Sequence, residues 1–303
     1  MNGVDARGGR FLVTGGSGFV GSHVVDGLVA SGAECVTVLD ARLRQDRLSG
    51  ALASGRVAAI EGDMLGEALA RTCQGVDGVF HLATLTLPEC DRDPIAAVRI
   101  NVEGTARVLA AAHGAGTRKV VFSSASSVYG ETQDTTDEST PLAPMTVYGR
   151  TKAAAEYVVR AFSSRIAAVS LRYMNVYGPR QEGGLIPSVL AKIRAGESPV
   201  IAGDGTQSFD FINVRDVAAA NLAAMAADVP QGEFNVGSNT EASVAEVVCT
   251  LLRLSRSDVA PVFDRGAPAG VARRAGSSEL AARVLGWRAA VGLEEGLVEL
   301  VRG

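Results

Sequence analysis

Tyr148 and Lys152 stand four residues apart in the stretch MTVYGRTKAAAEYVVRAF. In a helix that spacing puts both side chains on one face, about one turn apart. A free phenol titrates near about 10 and is a poor base at neutral pH. A lysine ammonium beside it favours the phenolate, which can then take a proton from a hydroxyl group. The stretch FLVTGGSGFVGSHVV sets Gly15, Gly18 and Gly21 after an apolar run and at the start of a helical one. Gly15 suits a tight turn, Gly18 lets backbone approach a pyrophosphate, and Gly21 lets the helix pack closely on the strand. The free N–H groups at the helix start then face the phosphates. Asp40, nineteen residues beyond Gly21, ends the next strand, VTVLD. A carboxylate there can bond a ribose diol and repel a 2′-phosphate, which favours NAD over NADP; Arg42, close by, works against that choice. Asp63 and Met64 end the third strand and can reach the adenine. Together these residues lead us to expect that Tyr148 takes a hydroxyl proton while hydride leaves the same carbon for NAD.

Such chemistry needs a rigid frame, and the sequence supplies one. Strand candidates RFLVTG, ECVTVLD, RVAAIEG, GVFHLA, KVVFSS and AAVSLRY are short apolar runs without alternation, which suits strands buried on both faces. Helical patterns at Ser22–Ser31, Pro94–His113 and Thr146–Ser164 lie between them. The alternation predicts an α/β fold, a Rossmann-type doubly wound parallel sheet. After Arg172 the rhythm changes to Gly- and Pro-containing stretches and shorter strands. We therefore expect a smaller C-terminal substrate domain, with residues 172–208 and 237–303 in it and residues 1–171 and 209–236 in the dinucleotide domain. The polar segment ETQDTTDESTPLAPMT is long enough to be a functional loop.

The formal net charge is −4, which argues against a nucleic-acid partner. No run approaches the roughly 18 apolar residues of a membrane span, and the start of the chain has no signal-peptide pattern. A cytoplasmic protein is expected. Cys35, Cys73, Cys90 and Cys249 form no CxxC pair, and His23, His81 and His113 share no ligand spacing, so no metal is expected. His81 ends a buried strand and reads as structural.

The motifs TGGSGFVG, GDM, HLAT, NVEGT, SSVYG, YGRTK, LRYMNVYGPRQ, GDGTQSFDFINVRDVAAAN and LGW followed by LEEGL, together with Asp40, run from Phe11 to about Leu300. In these the chain resembles the extended short-chain dehydrogenases/reductases, specifically the NAD-dependent sugar-nucleotide epimerase/dehydratase group. The resemblance implies bound NAD, a nucleotide-sugar substrate (most commonly UDP-linked), and a homodimer formed through a helix bundle. It gives Tyr148 the role of base and Lys152 that of its partner. It places Phe19, Val20, Leu82, Ala83, Thr84, Asn101, Ser123 and Tyr173 along the cofactor. Tyr129, Arg172, Asn175, Gln207 and Phe209 fall at the substrate, and Leu185 and Ile186 open a helix over the nucleotide base.

The chain also departs from the pattern. The family's polarising Ser or Thr falls four residues before the tyrosine of VYG, and here that position is Ala125, leaving Ser124 or Ser126 to substitute. Dehydratases carry an Asp–Glu pair before VYG, and decarboxylases a Glu; Ser126 and Ser127 stand there instead. The arginine expected after GDGTQS is Phe209. Arg273 or Arg274 can hold a carboxylate or a pyrophosphate in its place. The leading expectation is a UDP-sugar 4-epimerase. The alternatives are a UDP-glucuronic acid decarboxylase giving UDP-xylose or UDP-4-keto-xylose, and a non-catalytic NAD-binding sensor.

Overall fold

The computed structural model describes residues 2–267 and 270–302. Six strands come first along the chain: β1 (Arg10–Thr14), β2 (Cys35–Asp40), β3 (Val57–Glu61), β4 (Gly78–His81), β5 (Lys119–Ala125) and β6 (Ala167–Tyr173). Beyond them come β7 (Asn175–Tyr177), β8 (Val200–Ala202), β9 (Ser208–Asn213), β10 (Gln231–Val236), β11 (Glu241–Ser243), β12 (Val262–Asp264) and β13 (Arg273–Arg274). The main sheet has the order β10-β6-β5-β4-β1-β2-β3, and every neighbouring pair in it is parallel. Strand order therefore reverses between β1 and β4, and the crevice at that switch point is where such sheets bind ligands.

The apolar runs behave as expected of strands covered on both faces. All residues of β4 and β6 are buried. One face packs Phe11, Val13 and Phe80 against the helix Phe19–Ala30, and the other packs Leu12, Val79 and Val120 against the helix Gly104–Gly114. In the small lobe, β9 pairs with β7, β11 and β13, over a separate core that includes Val189, Leu190 and Val248. The large sheet and the small one each have a core of their own. Position 171/172 falls inside β6, and the return to the large lobe begins with the helix Val214–Ala226, because Ser208–Asn213 pairs within the small sheet.

Two local features shape the cleft between the lobes. The helical stretch after Pro94 is broken by a π turn at Arg99–Glu103, centred on Asn101, an irregularity that recurs at functional sites. The loop after β7 reaches back over the large lobe. There Pro179 O meets His23 Nε2 at 3.0 Å, Arg180 pairs with Asp26 at 2.7 Å, and Glu182 binds both Arg44 and Arg47. Among the described residues no helix is long and apolar enough to cross a membrane.

Candidate active site

A cleft of about 620 Å³ runs from the glycine loop to the junction of the lobes. At its large-lobe end Gly15 has φ 68°, a left-handed conformation that favours glycine. A Cβ there would lie 2.6 Å from Ala83 N, and one on Gly21 would lie 2.1 Å from Gly15 O. The loop is thus a cradle that tolerates no side chain at either point. Gly18 caps the helix Phe19–Ala30 without a side-chain bond, so the first N–H groups are available to an anion. Asp40 lines the cleft and is oriented by Ser17, whose Oγ donates to it at 2.7 Å. This donor set and cradle fit NAD. Gly15, Gly18, Phe19 and Val20 would hold its pyrophosphate end, and Asp40 its ribose; Asp63, Met64, Leu82, Ala83 and Thr84 stand on the same walls.

Two of the expected cofactor residues stand off the cleft. Arg42 is exposed, and it contributes only its backbone, accepting from Ser17 Oγ. Asn101 is buried behind the wall. Its Oδ1 accepts from Thr84 Oγ1 and Leu85 N, while its Nδ2 donates to Thr151 Oγ1 at 3.0 Å. The π turn aims this amide so that it ties the segment after β4 to the helix Val147–Ala161, which makes Asn101 a positioning residue. His81 is structural too: it bridges Thr14 and Thr105, and burial lowers its pKa to about 3.

At the junction of the lobes the helix Val147–Ala161 starts at Thr146, whose side chain accepts from Gly149 N, a regular N-cap. The cap brings Tyr148 to the cleft in its first turn and Lys152 in its second. Lys152 Nζ donates to Ser123 O at 2.8 Å and lies 5.7 Å from the centre of the Tyr148 ring. Burial raises the Tyr148 phenol above its ordinary value, and the Arg274 guanidinium opposes that rise. Burial also lowers the Lys152 ammonium to about 7. Both shifts arise because a lone charge is costly where water is excluded. Tyr173, at the end of β6, lines the same region and donates to Asn221 Oδ1.

The serines around Ala125 separate clearly. Ser124 also lines the cleft, but its Oγ donates to Glu156 Oε1 and is engaged there. Glu156 is in turn held by Arg172, Nη2 to Oε2 at 2.7 Å, both side chains being almost fully buried. Ser126 lines the cleft and forms no side-chain hydrogen bond among the described residues. Of the two substitutes for a hydroxyl at Ala125, Ser126 is the one with its donor free.

Several expected substrate residues are corrected. Tyr129 is 1% exposed and stands off the cleft; its hydroxyl donates to Asn235 Oδ1 and accepts from Arg172 Nη1. Arg172 is bound to Glu156 and has no face toward a diphosphate. Arg273 is held by Glu241 and by Gln133 O. Ile186 is buried in the small-lobe core, with Leu185 packed against it. Gln207 donates to Ala202 O, and Phe209 meets Phe211 edge-on; neither lines the cleft. Asn175 does line it, and so does Arg274. Sequence reasoning missed Glu156, although its position four residues after Lys152 puts it on the same helical face.

A dinucleotide cradle and a Tyr–Lys helix opening on one crevice of a doubly wound sheet mark a short-chain dehydrogenase/reductase type of site. The model of the NAD dependent epimerase/dehydratase family matches residues 11–237. The chain belongs to that family. It is similar to the UDP-glucose 4-epimerase of Mycolicibacterium smegmatis, with 32% identity over 96% of this chain and 97% of the relative. Among solved structures it is similar to a UDP-N-acetylglucosamine 4-epimerase from Methanobrevibacter ruminantium M1 in complex with UDP-N-acetylmuramic acid. That likeness has 30% identity, a TM-score of 0.91 and 98% coverage of both chains. It is also similar to the UDP-glucuronic acid 4-epimerase from Bacillus cereus in complex with UDP-glucuronic acid and NAD, with 26% identity, a TM-score of 0.90, and 97% and 99% coverage.

Proposed function

We propose that this chain is an NAD-dependent epimerase that inverts C4 of a UDP-linked sugar. The observation that carries the reading is the placement of Tyr148 and Lys152 on the wall shared by the dinucleotide cradle and the lobe junction. NAD bound there supplies a hydride acceptor that can also return what it receives. Tyr148, as a phenolate favoured by the Lys152 ammonium, takes the proton of the C4 hydroxyl and becomes the neutral phenol. Ser126 donates a hydrogen bond to the C4 oxygen as it becomes a carbonyl. Ser126 and Ser127 bring no carboxylate to the carbons beside that carbonyl, which speaks against elimination of water. Rotation of the keto sugar and return of hydride to its other face complete the inversion.

The test is spectroscopic. Purified holoprotein mixed with UDP-sugars should gain the absorbance of reduced nicotinamide and yield an epimer of unchanged mass. A product lighter by the mass of CO₂ would establish the decarboxylase, and no change with any UDP-sugar would leave a binding protein. The Ser126→Ala variant should lower kcat by about 10²-fold, the usual loss for one polarising donor. A rate equal to that of the unaltered protein would remove Ser126 from the mechanism.

The same reading makes the protein a cytoplasmic homodimer. Ile95, on the helix Pro94–Val98, is 77% exposed, and Tyr157, on the neighbouring helix Val147–Ala161, is 60% exposed. Val98 extends this apolar face, and a second copy in a helix bundle would cover it. Ile95→Glu should shift sedimentation from dimer to monomer; an unchanged profile would place any interface elsewhere.

A further inference from the structure

Arg42, Arg44 and Arg47 stand close to Asp40, on the segment that follows β2. Arg44 N donates to Ser17 Oγ at 3.1 Å, and Arg47 Nη1 donates to Ser17 O at 3.5 Å. Ser17 is the residue that orients Asp40. Two guanidiniums are thus one residue removed from the carboxylate that would meet the ribose. An arginine in such a place accommodates a 2′-phosphate in sites that take NADP. Yet neither side chain lines the cleft. Both are paired with Glu182, on the loop after β7. Arg44 Nη2 meets Oε1 at 2.6 Å and Arg44 Nη1 meets Oε2 at 3.2 Å, while Arg47 Nη2 meets Oε1 at 2.9 Å. Arg44 above all, with Arg47, holds this carboxylate down to about 2, so it is charged at any working pH. Asp46 is a further partner of Arg44, at 3.3 Å.

We propose that Glu182 is a cofactor-specificity residue: by occupying Arg44 and Arg47 it withholds from a ribose 2′-phosphate the two guanidiniums that would bind it. Asp40 repels such a phosphate, but arginines within reach would offset that repulsion. A carboxylate and a phosphate compete for the same planar fork of N–H donors. With Glu182 in place, NADP must displace that carboxylate and face Asp40 as well. The ribose diol of NAD needs only Asp40, so NAD binds with the arginines still paired. Discrimination is therefore shared between Asp40, at the end of β2, and a carboxylate that arrives on a loop from the other side of the cleft. The inference needs only the dinucleotide site. Its failure leaves the epimerase reading untouched, and the failure of that reading leaves it standing.

The experiment equilibrates the holoprotein with mixtures of NAD and NADP, removes free cofactor and reads the bound ratio by mass spectrometry. The unaltered protein should hold NAD in preference. Glu182 is exposed, so Glu182→Gln should fold normally. It should shift the bound ratio toward NADP by about 10-fold, the scale of two partly exposed charge pairs. The shift should shrink as salt rises. Replacing the arginines too, in Glu182→Gln with Arg44→Gln and Arg47→Gln, should return the ratio to that of the unaltered protein. Arg42 is the alternative recipient, because it is exposed and only its backbone is bonded among the described residues. Glu182→Gln with Arg42→Gln should keep the shift. Loss of the shift in that variant would assign the phosphate to Arg42 and overturn the proposal. A merely structural Glu182 would, on replacement, weaken both cofactors together and leave the ratio where it was. That result would overturn the proposal as well.

Discussion

Tyr148→Phe is expected to abolish turnover, with kcat falling by about 10³-fold or more, while NAD stays bound. The variant keeps the ring that packs at the cleft wall and removes the one oxygen able to take the substrate proton. Loss of a positioned general base alone typically removes about 10²–10⁴ in rate. Binding of NAD rests on the Gly15–Gly21 loop and Asp40, none of which touches the phenol, so cofactor content should be unchanged. The pH profile gives a second readout. Burial holds the phenol above its ordinary value in the protein without cofactor, and Arg274 opposes this. The rate of substrate oxidation should therefore rise with pH as the phenolate forms. Lys152→Met withdraws a positive charge from beside the ring and should move that rising limb to higher pH. Residual turnover in Tyr148→Phe within a few-fold of the unaltered protein would show that another group takes the proton.

The second large effect falls on stability. Arg172→Met should destabilise the fold by about 3–5 kcal/mol, the usual cost of breaking a buried ion pair from one side. It strands the Glu156 carboxylate where Arg172 contacts both of its oxygens, and it also takes the donor from Tyr129. Urea unfolding of the variant beside the unaltered protein reads this loss. A double variant, Arg172→Met with Glu156→Leu, should recover much of the loss, because replacing both charges with packed apolar groups is often neutral. Equal stability of Arg172→Met and the unaltered protein would refute the assignment.

The parts of the site carried by local spacing were legible in the sequence. The glycine triplet, Asp40 and the Tyr148–Lys152 pair each lie within one strand–turn–helix or one helix, where period and register follow from chain geometry. What stayed hidden depends on pairings between distant segments. Ser124 looks as available as Ser126 until Glu156, 32 residues away, takes its hydroxyl. Arg273 and Arg274 are interchangeable on paper. Successive residues of a strand point to opposite faces, and only the pairing of β13 with β9 decides which of them meets the cleft. Tyr129 carries a functional motif but turns inward, because Asn235, 106 residues on, offers its amide there. The place of Ser208–Asn213 in the small sheet is hidden for the same reason, since its partners β7, β11 and β13 are remote in sequence from one another.

The loop carrying Glu182 has a consequence for the life of the complex. Its carboxylate grips Arg44 and Arg47. The Arg44 N–H donates to Ser17 Oγ and Arg47 to Ser17 O, so the grip reaches the turn that cups the dinucleotide. Parting the lobes to let product escape therefore tugs on the cofactor's own seat, at a clasp open to water and loosened by salt. An enzyme that restores its redox carrier within every cycle gains nothing by releasing it, and this clasp favours a tenant that stays while its visitors change.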